Sequence, residues 1–210
     1  EISALVKRYF PSCESIGSFA RITDIGLKSD EELRRLKGAG FDGLTIGMET
    51  ADEEALHFMN KGYGKNDVLV QCRRLEQAGI SYKFFYLVGI SGKGRGAEGA
   101  KVTAEVCNQL HPKLVGANML TIYPDSELYQ EIRKGNWQRS GEKEKYMEMK
   151  TLVANLAIET EFAAMGASHA VQLYGVLPKD KAKLLAVLDE ITSSVDEKEL
   201  EHYRKNLRHL

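Results

Sequence analysis

A unit of one helix followed by one short apolar strand occurs three times along the first part of the chain. The strands of these units are predicted at 43–47, 82–88 and 114–121, and a further strand candidate at 15–20 precedes them. Helices that alternate with apolar strands are typical of a parallel sheet built from βα units. Because the ligands of such sheets gather at the carboxyl ends of the strands, the residues that follow each strand are the first candidates for function.

Three of these positions carry residues that are suited to binding. Glu49 follows the second predicted strand, Arg21 follows the first, and a glycine-rich loop from Gly89 to Gly99 follows the third. A carboxylate can accept hydrogen bonds from ribose hydroxyls or an ammonium group, an arginine can hold a carboxylate with two hydrogen bonds, and glycine lets the backbone approach a ligand closely. Each also has a structural interpretation: Glu49 as a surface acid beside a helix starting near Asp52, Arg21 as a surface residue, and the loop as a solvated connection.

His169 lies in a run of small residues at 166–170, which would bring its imidazole close to the backbone. It is a candidate for the substrate side of a site, with a buried structural histidine as the alternative. If Glu49 and His169 converged, the chain would be an ordinary (β/α)-barrel enzyme with acid–base chemistry. The sequence contains no Ser-His-Asp order and no Walker phosphate-binding loop.

The composition favours a soluble cytoplasmic protein. The hydrophobic fraction of 43% is enough for a buried core, and the formal charge of −1 provides no attraction to nucleic acid or membrane surfaces. No secretory signal and no membrane-spanning apolar run occur in the sequence. Cys13, Cys72 and Cys107 are too far apart for a CxxC metal motif, and their odd number argues against a disulfide framework.

The pattern of predicted helices and strands changes near residue 135 and divides the sequence into two parts. Residues 1–135 are predicted to form a partial barrel of helices and strands, and residues 136–210 a mostly helical extension packed on it. In the extension, one long amphipathic helix is predicted from Glu142 to Met165, and the segment 167–176 is interpreted as a strand or an ordered loop. Because the chain begins with Glu1 and has no initial Met, we expect it to be a piece of a longer protein.

Several segments taken together resemble radical S-adenosylmethionine enzymes. The resemblance is carried by DGLTIGMET (42–50), ALHFMNKG (55–62), LVGISG (87–92), NMLTIYPDSELY (118–129), and SHA with GVLPKDK (168–170 and 175–181). The segments SHA (168–170) and GVLPKDK (175–181) are similar to the tail of a subgroup of Fe–S oxidoreductases related to oxygen-independent coproporphyrinogen oxidase. The resemblance extends over roughly residues 15–192 and implies four parallel strands of a six-stranded (β/α) barrel.

The resemblance also implies cofactors and partners. A protein of this family would use S-adenosylmethionine and a 4Fe–4S cluster, reduced by flavodoxin or ferredoxin, to generate a 5′-deoxyadenosyl radical that abstracts hydrogen from a substrate, here unknown. Glu49 would meet the ribose or methionine end of S-adenosylmethionine. The backbone at Val88, Gly89 and Ile90 would face adenine, and Arg21 would lie on the cofactor-facing rim.

The sequence departs from the family pattern in two places. It has neither the CxxxCxxC loop that binds the cluster nor the Gly-Gly-Glu-type motif that grips the methionine amino group. We therefore expect the chain alone to be inactive and to expose the strand at 15–20 as an edge through which it self-associates. The alternative is a degenerate partial barrel that acts as a non-catalytic ligand-binding or interaction module.

Overall fold

The computed structural model describes residues 1–207. Within that range the chain forms six strands and ten helices. The strands are β1 (Ile16–Ala20), β2 (Phe41–Glu49), β3 (Tyr82–Val88), β4 (Leu114–Met119), β5 (Thr160–Ala164) and β6 (Leu173–Leu177). The helices are α1 (Ile2–Tyr9), α2 (Ile22–Gly26), α3 (Asp30–Gly38), α4 (Glu53–Phe58), α5 (Lys65–Gln77), α6 (Gly96–Cys107), α7 (Glu127–Lys134), α8 (Glu142–Asn155), α9 (Lys181–Ser194) and α10 (Glu197–Lys205).

The strands form a single sheet in the order β1-β2-β3-β4-β5-β6. The pairs from β1 to β5 are parallel, and β6 pairs with β5 in the antiparallel sense. Each parallel connection crosses to the next strand in the same direction. Because such crossovers are right-handed, they place their helices on the same face of the sheet, as in the wall of a barrel.

The burial of strand β3 shows which face the helices cover. Tyr82, Phe84, Tyr86 and Val88 are almost completely buried, whereas the alternate residues between them are exposed or partly exposed. Strand β5 alternates in the same way. The sheet therefore has a covered face packed on helices and an open face, and the predicted partial (β/α) barrel is confirmed.

Helix starts follow the local chemistry of the sequence. In α3, the Glu32 amide donates to Ser29 Oγ (3.2 Å) and the Ser29 amide donates to Glu32 Oε2 (2.8 Å), which forms a capping box. Asp52 caps helix α4, and its Oδ1 accepts from the amides of Glu54 and Ala55. The Asp52 cap thus fixes the point at which the chain turns into a helix after β2, and the Ser29 cap fixes the start of the helix that leads into β2.

The predicted helix from Glu142 to Met165 is wrong in its second half. Helix α8 ends at Asn155, and β5 follows at Thr160–Ala164. Ile158, Phe162 and Met165 fit helical spacing, but the fully buried Phe162 pairs with Val115 of β4. The segment interpreted as a strand or loop includes β6. The sheet thus continues across residue 135, where the two predicted parts meet, and the division of the chain into a barrel and an extension stays a prediction.

The two ends of the sheet differ in their neighbours. Strand β1 pairs with β2 only, and Phe19 at its centre is 86% exposed. Strand β6 forms the opposite edge, pairs with β5 only and packs on α9. Across residues 1–207, no helix has the length and apolar character needed to cross a membrane.

Candidate functional site

Glu49 ends strand β2 on the open face of the sheet. A Cβ built on Gly47 would lie 2.9 Å from Glu49 Oε1, so the carboxylate folds back over this glycine. Gly47 pairs with Phe85, whose ring lies beside Gly116 on the same face. Glu49 has a φ of +62°, which is uncommon for a residue other than glycine. The backbone thus turns at the carboxyl end of β2 and directs an acid over a surface that has few side chains.

Lys61 completes a pair of opposite charges with Glu49. Its Nζ lies 3.6 Å from Glu49 Oε1, and both side chains keep about a quarter of their surface exposed (30% for Lys61 and 24% for Glu49). Asn60 and Gly62 on either side of Lys61 have positive φ angles, so this lysine lies in a tight turn after α4. Sequence reasoning did not assign a role to Lys61, although the MNKG segment contains it. An accessible lysine–glutamate pair can bind a ligand that carries both an anionic group and a hydrogen-bond donor.

Tyr63 anchors this turn to strand β2. Its hydroxyl donates to the carbonyl oxygen of Met48 (2.8 Å) and approaches that of Gly47 (3.2 Å). Burial, together with the nearby Glu49 carboxylate, raises the pKa of Tyr63, so the hydroxyl stays protonated as a donor. The turn that carries Lys61 is therefore held against β2 by a partly buried hydrogen bond in addition to the ion pair.

The glycine-rich loop after β3 is packed at its beginning rather than solvated. Residues 89–92 are buried, and a Cβ on Gly92 would lie 2.9 Å from Nε1 of Trp137. The Gly89 amide donates to both carboxylate oxygens of Glu148 (3.0 Å each), and Tyr86 Oη donates to Glu148 Oε1 (2.6 Å). Glycine is needed here because helix α8 and Trp137 come close to the backbone.

The backbone groups of Val88, Gly89 and Ile90 already take part in internal hydrogen bonds. Val88 O accepts from Leu120 N (2.9 Å), and Ile90 N donates to Leu87 O (3.2 Å). The side chains of Val88 and Ile90 are buried. An adenine contact at these residues would therefore rest on van der Waals packing, and the role predicted for them stays a prediction.

Arg21 lies at the carboxyl end of the edge strand β1. Its Nη2 and Nε donate to the two carboxylate oxygens of Asp24 (2.9 and 3.2 Å), and its side chain is 77% exposed. This hydrogen bonding raises the pKa of Arg21 and lowers the pKa of Asp24. The guanidinium group of Arg21 is thus held by Asp24 of α2, and the place predicted for Arg21 on a cofactor-facing rim stays a prediction.

His169 is buried and caps the edge of strand β4. Its Nε2 lies 2.7 Å from the carbonyl oxygen of Ala117, and Ser168 Oγ accepts from the Met119 amide (3.2 Å). Strand β5 pairs with β4 only as far as Gly116. The Ser168 and His169 side chains therefore continue the hydrogen bonding of β4 where β5 ends.

This burial has a chemical consequence for His169. The side chain is 1% exposed, and desolvation lowers its pKa, so the imidazole is neutral. No hydrogen bond joins it to Glu49 within residues 1–207. The convergence of Glu49 and His169 that an acid–base enzyme would need is thus not observed. A substrate-side role for His169 stays a prediction, and the observed contacts favour the structural interpretation.

The described residues contain no group that fits a 4Fe–4S cluster. Among residues 1–207, no three His, Cys, Asp or Glu side chains are placed to hold a metal ion. Cys72 and Cys107 are completely buried on helix faces, and burial raises the pKa of both thiols, to about 12 for Cys107. Cys13 lies alone near the end of α1. Cys72 and Cys107 are therefore core residues.

Comparisons with known proteins identify the fold. No family profile and no curated protein sequence matches the chain. Among solved structures, it is similar to archaeal Elp3 from Methanocaldococcus infernus, with 16% identity and a TM-score of 0.57 over 68% of this chain and 33% of Elp3. It is also similar to coproporphyrinogen III oxidase (HemN) from Escherichia coli, a radical SAM enzyme, with 12% identity and a TM-score of 0.56 over 97% of this chain and 62% of HemN.

Each similarity covers only part of the solved protein. The chain spans less than two thirds of the length of either protein. The mostly parallel sheet with helices on one face agrees with this match in architecture. The chain therefore has the fold of a radical SAM enzyme, in the form of a partial (β/α) barrel.

Proposed function

We propose that this chain is the S-adenosylmethionine-binding, C-terminal part of a cytoplasmic radical SAM oxidoreductase. The observation that carries the proposal is the Glu49–Lys61 pair on the open face of a radical-SAM-type sheet. The methionine end of S-adenosylmethionine carries a carboxylate and an ammonium group, and its ribose carries two hydroxyls. An accessible lysine beside an accessible carboxylate matches these groups in charge and in hydrogen bonding.

Each residue has a defined part in this proposal. Lys61 donates hydrogen bonds to the cofactor carboxylate, and Glu49 accepts from the ammonium group or the ribose hydroxyls. Phe85, next to Gly47 and Gly116 on the open face, offers an apolar surface that a planar or aliphatic group can cover. Glycine at 47 and 116 leaves room for the Glu49 carboxylate and the Phe85 ring, since a Cβ at either position would lie 2.9 Å from Glu49 Oε1 or from the Phe85 ring.

The reaction would also need groups that lie outside the described residues. In radical SAM chemistry a 4Fe–4S cluster supplies the electron that initiates hydrogen abstraction, and residues 1–207 contain no site for one. We propose that a longer protein provides the cluster, that flavodoxin or ferredoxin reduces it, and that the substrate is a small molecule. The chain by itself is expected to bind the cofactor without turning it over.

Titration of S-adenosylmethionine into the chain, followed by NMR or calorimetry, tests the proposal. A hydrogen bond to a charged group contributes about 1.5–3 kcal/mol, so Lys61→Gln and Glu49→Gln are each expected to weaken binding roughly tenfold or more. Lys65→Gln, a neighbouring exposed lysine at the start of α5, is the matched control and should bind normally. Thermal melting establishes that all variants are folded. The proposal fails if the wild-type chain does not bind, or if Lys61→Gln and Lys65→Gln bind equally.

A non-catalytic binding module is the second candidate, because the described residues carry no ligands for a cluster. It predicts the same binding by Glu49 and Lys61. The longer protein distinguishes the two candidates. After reconstitution with iron and sulfide, a radical SAM oxidoreductase would cleave S-adenosylmethionine, whereas a non-catalytic binding module would not.

A further inference from the structure

A small cavity at the carboxyl end of β4 has an unusual charge distribution. It has a volume of about 180 Å³ and lies between the first turn of α8, helix α10 and the chain segment that follows β4. Its lining contains six charged residues, namely Arg139, Glu142, Lys145, Glu201, Arg204 and Lys205. Strand β4 is two strands away from β2, so at the usual strand spacing the cavity lies roughly 10 Å from the end of β2.

Two of the cations are buried and fixed. The Lys145 side chain is 2% exposed, and its Nζ donates to Glu142 Oε1 (2.6 Å). The Arg204 side chain is 14% exposed, and its Nη1 and Nη2 donate to the carbonyl oxygens of Ser168 (3.0 Å) and Leu120 (2.9 Å). Carbonyl oxygens orient the guanidinium group but do not neutralise its charge. The cavity is therefore built around rigid positive groups.

Positive charge exceeds negative charge at this site. Glu201 pairs with Lys205 (3.3 Å), which leaves Glu142 as the one acid facing Lys145, Arg204 and Arg139 among the residues that line the cavity. Burial lowers the pKa of Lys145, and the charges of Arg204 and Arg139 lower it further, whereas Glu142 raises it. Buried charge without compensation is unfavourable, so an anion in the cavity would stabilise this arrangement.

Glu142 restricts which anion fits. Its Oε2 is buried and has no hydrogen-bond partner within residues 1–207, and Arg204 Nε lies 3.7 Å from it. A fully deprotonated anion beside this oxygen would be repelled, whereas a ligand that keeps a hydroxyl proton could donate to it. The site thus offers cations for an oxyanion and one acceptor for a hydrogen on that same ligand.

We propose that this cavity binds a phosphate group that retains a proton, with Arg139, Lys145 and Arg204 facing its oxygens and Glu142 accepting its hydrogen. The volume of the cavity admits one such group but not a whole nucleotide. The site is separate from the Glu49–Lys61 pair. The phosphate proposal therefore goes beyond the proposed function, and its test does not depend on whether the chain binds S-adenosylmethionine.

Inorganic phosphate and sulfate are the probes that test this proposal by calorimetric titration at neutral pH. The two ions have similar size and shape, but phosphate keeps a proton at this pH and sulfate has none. We expect phosphate to bind at least tenfold more tightly than sulfate, because sulfate would leave Glu142 Oε2 unpaired and repelled. Equal binding of the two ions, or tighter binding of sulfate, would overturn the proposal.

Three variants locate the binding in the cavity. Arg139→Gln changes an exposed residue and is expected to weaken phosphate binding roughly tenfold. Arg133→Gln, an exposed arginine on α7 that does not line the cavity, is the matched control and should leave binding unchanged. Glu142→Gln supplies an amide donor and should reduce or reverse the preference for phosphate over sulfate. If Glu142→Gln does not fold, the proposal is still tested by the ion preference of the wild type and by the comparison of Arg139→Gln with Arg133→Gln. Equal effects of these two arginine substitutions on phosphate binding would refute the site.

Discussion

Glu148 is a buried carboxylate at the junction between the sheet and helix α8. Burial raises its pKa to about 7, while the hydrogen bonds from Tyr86 and Gly89 act in the opposite direction and only in part offset this effect. Two charged neighbours on α8, Glu144 and Lys145, raise and lower the pKa respectively. The residue holds the amide of Gly89 and thereby fixes the turn that leaves β3.

The protonation of Glu148 is expected to couple stability to pH. Its ordinary pKa is 4.5, so between pH 4.5 and about 7 the folded protein keeps a proton that the unfolded chain has released. Raising the pH through this window therefore lowers the free energy of unfolding, by roughly 3 kcal/mol for a shift of this size. Urea unfolding as a function of pH should show this decline in the wild type and in the exposed control Glu190→Gln. Glu148→Gln should lack it, and an unchanged decline in that variant would contradict the assignment.

Helix α6 lies close to the end of β2 because its inward face is made of small residues. Gly96, Gly99, Ala100 and Thr103 are buried there. Thr103 Oγ1 accepts from the amide of Ala51 (2.9 Å) and lies 3.3 Å from Thr50 Oγ1. This helix thus supports the segment directly after Glu49.

Gly99→Ala is expected to disturb this close packing. A Cβ at position 99 would lie 2.5 Å from Ser91 Oγ and 3.5 Å from Asp52 Cβ, so the buried Ser91 side chain or the helix would have to move, at a cost of about 1–3 kcal/mol. Gly38→Ala is the matched control on α3, where no atom lies within 4 Å, and should stabilise the protein by about 0.5–1 kcal/mol. Chemical denaturation measures both changes. A stabilising effect of Gly99→Ala would show that the packing around α6 is looser than the structure indicates.

The sheet of the whole molecule has two edge strands among the described residues, β1 and β6, of which β6 packs on helix α9. Strand β1 pairs with β2 alone, and its outer backbone groups and Phe19 face outward. Unpaired edges pair readily with other strands. We propose that isolated copies of the chain self-associate through this edge.

Sedimentation velocity over a range of protein concentrations tests this self-association. Phe19→Lys places a charge on the edge strand and is expected to shift the chain toward monomer. Val70→Lys changes an exposed apolar residue on α5, 52% exposed, and should associate like the wild type. A wild-type chain that stays monomeric at every concentration, or equal behaviour of the two variants, would rule out the β1 edge as the contact.

The local sequence alone determined the first four strands and the position of Glu49. Apolar strands of a few residues, helices with caps and the glycines between them are short-range signals, and β1 to β4 lie within about two residues of their predicted bounds, as such patterns permit. The carboxyl end of a parallel strand is a fixed place in the fold, so the location of Glu49 on the rim followed from the pattern as well.

Only the tertiary structure decided which partners these residues have. Strand β5 has apolar spacing that fits a helix equally well, and its pairing with β4 across a long stretch of chain resolved the ambiguity. The pairing of Lys61 with Glu49 depends on the turn after α4. The capping of β4 by His169 and the approach of Arg204 to Glu142 depend on contacts between residues far apart in sequence. No local pattern specifies such contacts, because they form only when the sheet and its helices pack together.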